Sequence, residues 1–253
     1  MIWSFGHGSL SLETPHYVGI LNLTPDSFSD GGTATRPEQA VEKGSHLLRH
    51  GASALDLGGE STRPDALPVA VDEEWRRVEP ALQAVHHALP EAPLSLDSRH
   101  ADVAAQGLAQ GVTILNDVTG FQDPAMLDLA RRSEIGVIAM RSRVSEGRFH
   151  MPPYDDPAPR TADLALEELR AVKARLLDAG LAPERILLDP GFGFGTTFRE
   201  DLALWEALPR LEAELDWPAS RVCIGLSRKR FLAWRQGAPE TPPRERDAFT
   251  HQA

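Results

Sequence analysis

The feature that most constrains the fold of this chain is a strict alternation of short apolar runs with longer amphipathic stretches. The apolar runs are typical of buried strands, and the amphipathic stretches begin and end with the residues that helix termini prefer. The predicted strands are residues 17–21, 54–57, 94–96, 113–115, 136–139, 185–188 and 221–225. The predicted helices are residues 37–50, 72–89, 101–110, 124–132, 161–179 and 200–211. This order indicates a parallel sheet with helices outside it.

A parallel sheet of this kind can close into a barrel or stay open as a doubly wound sheet, and the two give the same order of elements. The barrel is favoured by the polar residues at the strand ends, because barrel enzymes carry their chemistry at that rim. One aspartate or asparagine there could be a helix cap, but several at corresponding positions indicate a site. Reading each strand to its carboxyl end gives Asn22, Asp56, Asp97, Asn116, Met140, Asp189 and the pair Ser227 and Lys229, of which five are aspartate or asparagine. We predict a TIM-type (β/α)8 barrel forming one domain over residues 1–253.

Composition excludes several classes of function. The net charge of −11 argues against binding to nucleic acid or to an anionic membrane, and the three cations at 228–230 are too few to reverse this. One cysteine, Cys223, cannot form an internal disulfide. The chain shows neither a signal peptide at its start nor the roughly 20 apolar residues of a membrane span. We expect a cytoplasmic protein.

The residues of the rim suit a nitrogen heterocycle. Asp97 and Asp189 accept hydrogen bonds when ionised, while the Asn116 amide both donates and accepts. This combination matches a 2-amino-4-oxo pyrimidine edge, and a guanine-like ligand would also satisfy it. The glycine- and hydroxyl-rich segments 24–32 and 58–64, the second with Arg63, are suited to an anion such as phosphate. The glycines of 191–195 lack the spacing of a dinucleotide-binding loop.

Two long motifs resemble the signatures of the dihydropteroate synthase family. They are GILNLTPDSFSDGG at 19–32 and DLGGESTRP at 56–64. The resemblance continues through SLDS at 95–98, ILND at 114–117, LDPGFGFG at 188–195 and GLSRK at 225–229, and so covers nearly the whole chain in order. It implies condensation of (7,8-dihydropterin-6-yl)methyl diphosphate with p-aminobenzoate, giving 7,8-dihydropteroate and diphosphate in folate biosynthesis.

The resemblance also implies a homodimer, a Mg²⁺ ion on the substrate diphosphate, and roles for individual residues. Asn22 would ligate the ion, and Thr62 and Arg63 would contact diphosphate and p-aminobenzoate. Asp97, Asn116, Asp189 and Lys229 would bind the pterin. The catalytic residues would be Asn22, Arg63 and Lys229, and further substrate contacts would come from Phe28, Pro64, Met140, Phe194, Gly225 and Ser227. In the family the bond to diphosphate breaks largely before the amine attacks, and the metal and Arg63 would stabilise the leaving anion.

The chain departs from the family pattern in three places. Arg141 stands where histidine is usual and Thr196 where lysine is common, and we expect the chemistry to tolerate both. The chain also stops before the family's eighth strand and its Arg-x-His-Asp motif. We therefore expect seven strands, two unpaired sheet edges and marginal stability with a tendency to associate. Pterin binding should persist while turnover slows.

Three alternatives remain open at this stage. A non-catalytic or weakly active pterin-binding paralogue would share the rim, as would a pterin-dependent methyltransferase domain. The motifs at 24–28 and 227–229 favour the synthase, because a methyl donor has no diphosphate to hold. A metal site at His46 and His50, four residues apart, is disfavoured because the pair lies mid-helix, away from the rim.

Overall fold

The computed structural model describes residues 1–24, 36–61, 68–145, 148–149, 152–157 and 161–252. Its strands are β1 (Ile2–Phe5), β2 (Gly8–Ser11), β3 (Tyr17–Asn22), β4 (Ala52–Gly58), β5 (Leu94–Asp97), β6 (Ile114–Asp117), β7 (Gly136–Met140), β8 (Val144–Ser145), β9 (Arg148–Phe149) and β10 (Ile186–Asp189). Its helices are α1 (Pro37–Arg49), α2 (Val71–Ala88), α3 (Ala101–Ala109), α4 (Pro124–Arg132), α5 (Asp163–Asp178), α6 (Phe198–Ala207), α7 (Leu211–Leu215), α8 (Arg230–Arg235) and α9 (Asp247–His251).

The centre of the protein is a six-stranded parallel sheet in the order β3-β4-β5-β6-β7-β10. Consecutive strands of this sheet are neighbours, and within the described residues one α-helix stands between each pair, from α1 to α5 in turn. The barrel-type α/β architecture predicted from the sequence is therefore confirmed. The six predicted helices also form, with ends shifted by at most a few residues.

The predicted seventh strand does not form. Over 221–225 the structure has only an isolated parallel bridge between Leu188 and Val222, with the Cys223 N–H donating to Leu188 O at 2.9 Å. Within the described residues no further strand lies beyond this segment. At the opposite edge, Tyr17 and Ile20 of β3 are 70% and 45% exposed.

Side chains of the sheet alternate between two apolar layers, as the pleat of a strand requires. The outward layer packs against the helices and includes Leu21, Leu55, Leu57, Leu96, Leu115, Val137 and Leu188. The inward layer is smaller and includes Ala54, Ile114, Ile138 and Leu187. Because successive residues face opposite sides, the polar residues at the strand ends fall on the inward face, above this smaller layer.

The sequence analysis did not predict an N-terminal hairpin, formed by β1 and β2. This hairpin packs on the sheet at the amino ends of its strands. Trp3 and Phe5 are 2% and 4% exposed and belong to the inward layer. The Trp3 indole Nε1 donates to Arg185 O at 3.1 Å. A Cβ on Gly136 would lie 2.8 Å from Phe5 Cβ, so this approach requires glycine. The inward face at the amino ends of the strands is thereby covered by apolar side chains.

No helix in the described ranges is long and apolar enough to cross a membrane.

Candidate active site

The inward-facing ends of β4, β5 and β6 bring two carboxyl groups and an amide together. Asn116 Nδ2 donates to Asp56 Oδ2 at 2.9 Å, one layer below the rim. On the neighbouring strand, a Cβ at Gly58 would lie 3.3 Å from Asp97 Oδ2. The glycine that ends β4 therefore leaves room for the Asp97 carboxyl group at the rim.

The pKa values of both carboxyl groups in this half of the site are raised when no ligand is bound. Burial raises the pKa of Asp97 well above its ordinary range, and the neighbouring carboxylates Asp56, Glu74, Asp117 and Glu60 raise it further. Burial also raises the pKa of Asp56, against the opposing effect of the Asn116 amide. A ligand that donates N–H groups would favour the ionised form of Asp97 and would therefore lower its pKa on binding.

The second half of the site is built from β10 and the loop after it. Asp189 Oδ1 accepts from the Gly191 N–H at 2.7 Å, and Lys229 Nζ donates to Phe192 O at 2.7 Å. A Cβ at Gly225 would lie 3.8 Å from both Asp189 Oδ2 and Lys229 Cε. The carboxylate, the ammonium group and this glycine therefore form one group of contacts.

The charges of this group offset one another. Burial raises the pKa of Asp189, while the Gly191 N–H, Lys229 and Arg141 lower it. Burial likewise lowers the pKa of Lys229, against the attraction of Asp189 and Asp201. The Lys229 ammonium also lies 4.3 Å from the centre of the Phe194 ring, a cation–π distance. The site thus offers a carboxylate acceptor, a cationic donor and an aromatic face.

The structure places the remaining predicted residues as follows. Asn22 is exposed at the end of β3, on the inward face opposite the buried Leu21. Met140 is buried at the end of β7, and Ser227 is exposed beside Lys229. The predicted residues Phe28, Thr62, Arg63 and Pro64 lie outside the described residues.

In the described part of the chain, one cluster of side chains near the end of β4 has metal-ligand spacing. Ligand atoms of Glu60, Glu74 and His100 lie within 4.8 Å of one another. However, Arg99 donates to both Glu60 oxygens at 2.8 Å, and His100 Nδ1 lies 2.6 Å from Glu74 Oε2. The Val69 N–H also donates to Glu60 Oε1 at 3.0 Å. We interpret the cluster as an ion-pair network that joins Glu60 to Val69, Arg99 and the neighbouring His100–Glu74 pair.

The His46 and His50 pair lies at the carboxyl end of α1 and not mid-helix, since His46 is in the last turn and His50 directly follows the helix. Both residues are exposed, their ring centres are 4.1 Å apart, and His50 Nδ1 is 2.8 Å from His46 O. The Nδ1 atom of His50 is thus within hydrogen-bond distance of the helix backbone.

The sequence analysis did not identify two buried residues behind the second half of the site, Arg141 and Thr196. Arg141 was treated as a tolerated departure, yet it is 1% exposed and donates to backbone carbonyls of the loop after β10. Thr196, the other departure, is also 1% exposed and donates to Asp201 Oδ1 at 2.6 Å. The sequence feature that could have indicated a role for Arg141 is the position of a cation directly after a fully buried strand.

Comparison with known proteins agrees with this geometry. Residues 18–253 match the family described as pterin binding enzyme. A dihydropteroate synthase of Neisseria meningitidis serogroup C is 39% identical over 249 residues, which cover 96% of this chain and 84% of that protein. The chain belongs to the dihydropteroate synthase family. The predicted transferase class and the place in folate biosynthesis are confirmed by these relatives.

Solved structures lead to the same family. The Xanthomonas albilineans dihydropteroate synthase with 4-aminobenzoic acid superimposes with a TM-score of 0.78 at 38% identity, covering 96% of this chain and 85% of that one. The Burkholderia cenocepacia enzyme complexed with 7,8-dihydropteroate gives a TM-score of 0.78 at 34% identity, covering 98% and 84%. The methyltransferase alternative thus loses its support.

Proposed function

We propose that this chain uses its inward rim to condense (7,8-dihydropterin-6-yl)methyl diphosphate with p-aminobenzoate. The observation that carries the proposal is the convergence of Asp97, Asn116 and Asp189 on one face of the sheet, with Lys229 beside Asp189. The solved relatives hold 4-aminobenzoic acid and 7,8-dihydropteroate, the amine substrate and the product of this reaction.

The pterin would lie across the rim with its N–H donors directed at carboxylates. Asp97 and Asp189 would accept from the pyrimidine ring, and Asn116 would read a mixed donor and acceptor edge. The Lys229 ammonium would donate to a ring carbonyl or nitrogen, with the Phe194 ring close to its other side. Gly225, Met140 and Ser227 would complete the walls.

The reaction then breaks a carbon–oxygen and a nitrogen–hydrogen bond and forms a carbon–nitrogen bond. The methylene carbon–oxygen bond to diphosphate breaks with its electron pair leaving on the diphosphate oxygen, the amine nitrogen of p-aminobenzoate bonds to that carbon, and the amine proton passes to the released diphosphate or to water. Carboxylates around the pterin stabilise the cation that remains after diphosphate departs. Arg63 and Thr62 would hold the departing diphosphate and orient the amine, and Phe28 and Pro64 would enclose them.

The residues present fit a bound Mg²⁺. Asn22 offers a hard oxygen ligand on the exposed inward rim, and Mg²⁺ is usually held by one or two protein oxygens together with substrate phosphates. The ion would supply charge stabilisation to the leaving diphosphate. Asn22 would hold it at the end of β3, on the side of the sheet where the pterin residues converge.

Release of diphosphate tests the proposal. The purified chain, given the dihydropterin diphosphate, p-aminobenzoate and Mg²⁺, should release diphosphate and form dihydropteroate. A non-catalytic pterin-binding paralogue would show saturable binding with no diphosphate released. We also propose a cytoplasmic homodimer, as the family resemblance implies, and light scattering on the purified protein measures its oligomeric state.

A further inference from the structure

Arg141 is a deeply buried cation whose side chain makes four hydrogen bonds. It follows β7 directly and is 1% exposed. Its Nε donates to Pro190 O at 2.8 Å, and its Nη2 donates to Gly191 O at 2.8 Å and Phe194 O at 3.1 Å. Its Nη1 donates to Glu168 Oε2 at 2.8 Å. Three carbonyls of one loop thus converge on one planar guanidinium group.

That loop, residues 190–195, carries the second half of the site. Its Phe192 carbonyl accepts from Lys229, and its Phe194 ring faces the same ammonium group. Its Gly191 N–H donates to Asp189. A Cβ at Gly191 would lie 2.2 Å from Arg141 O, so the loop also packs directly on the backbone of Arg141. The positions of both charged groups are therefore coupled to this arginine.

The buried charge is compensated from α5. Glu168 accepts from Arg141 through one oxygen and from Arg143 Nε, at 2.8 Å, through the other. Arg143 continues the network to Glu200 Oε1 at 2.8 Å and to the Gly195 carbonyl. A lysine could not reproduce these contacts, because its ammonium group lacks the planar fork that meets several acceptors at once.

We propose that Arg141 is a positioning residue for the pterin, holding the 190–195 loop so that Asp189, Lys229 and Phe194 meet the ligand in one arrangement. This inference rests on the proposed function, since it assigns the same rim to the pterin. Its geometric basis is the three carbonyl bonds, whose acceptors lie 49 to 53 residues away in sequence.

A second consequence concerns the charge of Asp189. The charged groups that act on it are the Lys229 ammonium and the Arg141 guanidinium, while Asp201 acts on Lys229 and the Cys223 thiol lies near Asp189. Without Arg141, the pKa of Asp189 loses one of the influences that lower it. Pterin binding should then fail at a higher pH as the solution is acidified, because the ligand needs an ionised acceptor.

The test compares Arg141→Met and Arg141→Lys with the matched control Arg185→Met. Arg185 also donates to two backbone carbonyls, Ile135 O at 2.7 Å and Ala130 O at 2.6 Å, but at the opposite end of the sheet. All variants are compared below their melting temperatures, by calorimetry with a pterin that lacks diphosphate and by steady-state kinetics.

We expect Arg141→Met to weaken pterin binding about 10- to 100-fold, the loss typical when a partner that orients a ligating group is removed. Its KM for the pterin substrate should rise while its KM for p-aminobenzoate changes little, and its acidic limit of binding should move to higher pH. Arg141→Lys should keep the wild-type acidic limit, because the charge remains, with part of the affinity lost. Arg185→Met should lose thermal stability with wild-type pterin affinity.

Wild-type pterin affinity in a folded Arg141→Met, or an equal affinity loss in Arg185→Met, would overturn the inference. If Arg141→Met does not fold, Glu168→Gln replaces it. That variant keeps the shape of the carboxylate, removes its charge and should weaken pterin binding in the same direction, so unchanged affinity there also overturns the inference. Failure of the wild-type chain to bind pterin would instead refute the proposed function.

Discussion

Replacing Asp97 with asparagine separates the contribution of this carboxyl group to binding from its effect on stability. The substitution keeps the shape of the side chain at the end of β5, beneath Gly58. It removes a carboxyl group whose pKa is raised well above its ordinary range by burial and by neighbouring carboxylates, with Asp56 first among these. The two effects of the change therefore have opposite signs.

The stability effect follows from proton linkage. A carboxyl group whose folded pKa lies above its unfolded value holds more protons in the folded state, so the free energy of unfolding falls as pH rises between the two values. At neutral pH, Asp97 therefore destabilises the ligand-free protein. Asp97→Asn should raise the melting temperature at neutral pH, and the gain should vanish at a pH below the unfolded pKa.

The binding effect has the other sign. A hydrogen bond to a charged acceptor contributes about 1.5–3 kcal/mol, and its loss corresponds to roughly a 10- to 150-fold increase in Kd. The Asp97→Asn variant should therefore melt at a higher temperature than the wild-type chain and bind pterin more weakly. Such a trade-off is expected where a site holds buried like charges for function.

Thermal melts and calorimetric titrations at several pH values measure both effects. The matched control is Asp102→Asn, an exposed carboxylate on α3, the helix that follows β5. This control should leave pterin affinity unchanged. The reasoning fails if Asp97→Asn lowers the melting temperature at neutral pH, or if it binds pterin as tightly as the wild-type chain.

Three further predictions concern the separate roles of Asp189 and Arg63, the pH dependence of pterin binding and the inward apolar layer of the sheet. Asp189→Ala should weaken pterin binding by about 2–4 kcal/mol, whereas Arg63→Ala should slow turnover and leave binding of a diphosphate-free pterin intact; equal calorimetric losses would contradict this division. Pterin affinity should be full above the raised pKa values of Asp97 and Asp189 and should fall as pH drops through them, so an affinity unchanged down to the ordinary carboxyl range would count against both roles. Gly136→Ala should destabilise the protein by about 1–3 kcal/mol in urea, because its Cβ would press on Phe5, with pterin affinity retained in the folded state.

The first motifs of the site could be predicted because they are local. Asn22, Asp97, Asn116 and Asp189 each stand at the end of an apolar run, and parallel strands bring such ends to one edge of a sheet. The inward direction of these side chains also follows from local alternation with buried leucines such as Leu21. Neither step requires knowledge of contacts between distant segments.

The sequence did not predict the seventh strand correctly, because a strand depends on its neighbours. Residues 221–225 have an apolar composition, but a ladder forms only where both chains align, and here one bridge to Leu188 is made. The N-terminal hairpin was missed for a related reason. Its β1 segment is short, and its apolar residues Trp3 and Phe5 gain their burial only from the inward layer of the sheet.

The sequence by itself determined the order of the six central strands and their helices, the barrel-type architecture, the family and the candidate residues at the rim. Only the tertiary structure showed that Arg141 donates to the backbone of residues 190–194 next to Asp189, and that Arg99 pairs with Glu60. The physical reason is distance along the chain. Arg141 and its carbonyl partners are about 50 residues apart. Every residue has a backbone carbonyl, so the sequence does not indicate which donor a particular carbonyl accepts from.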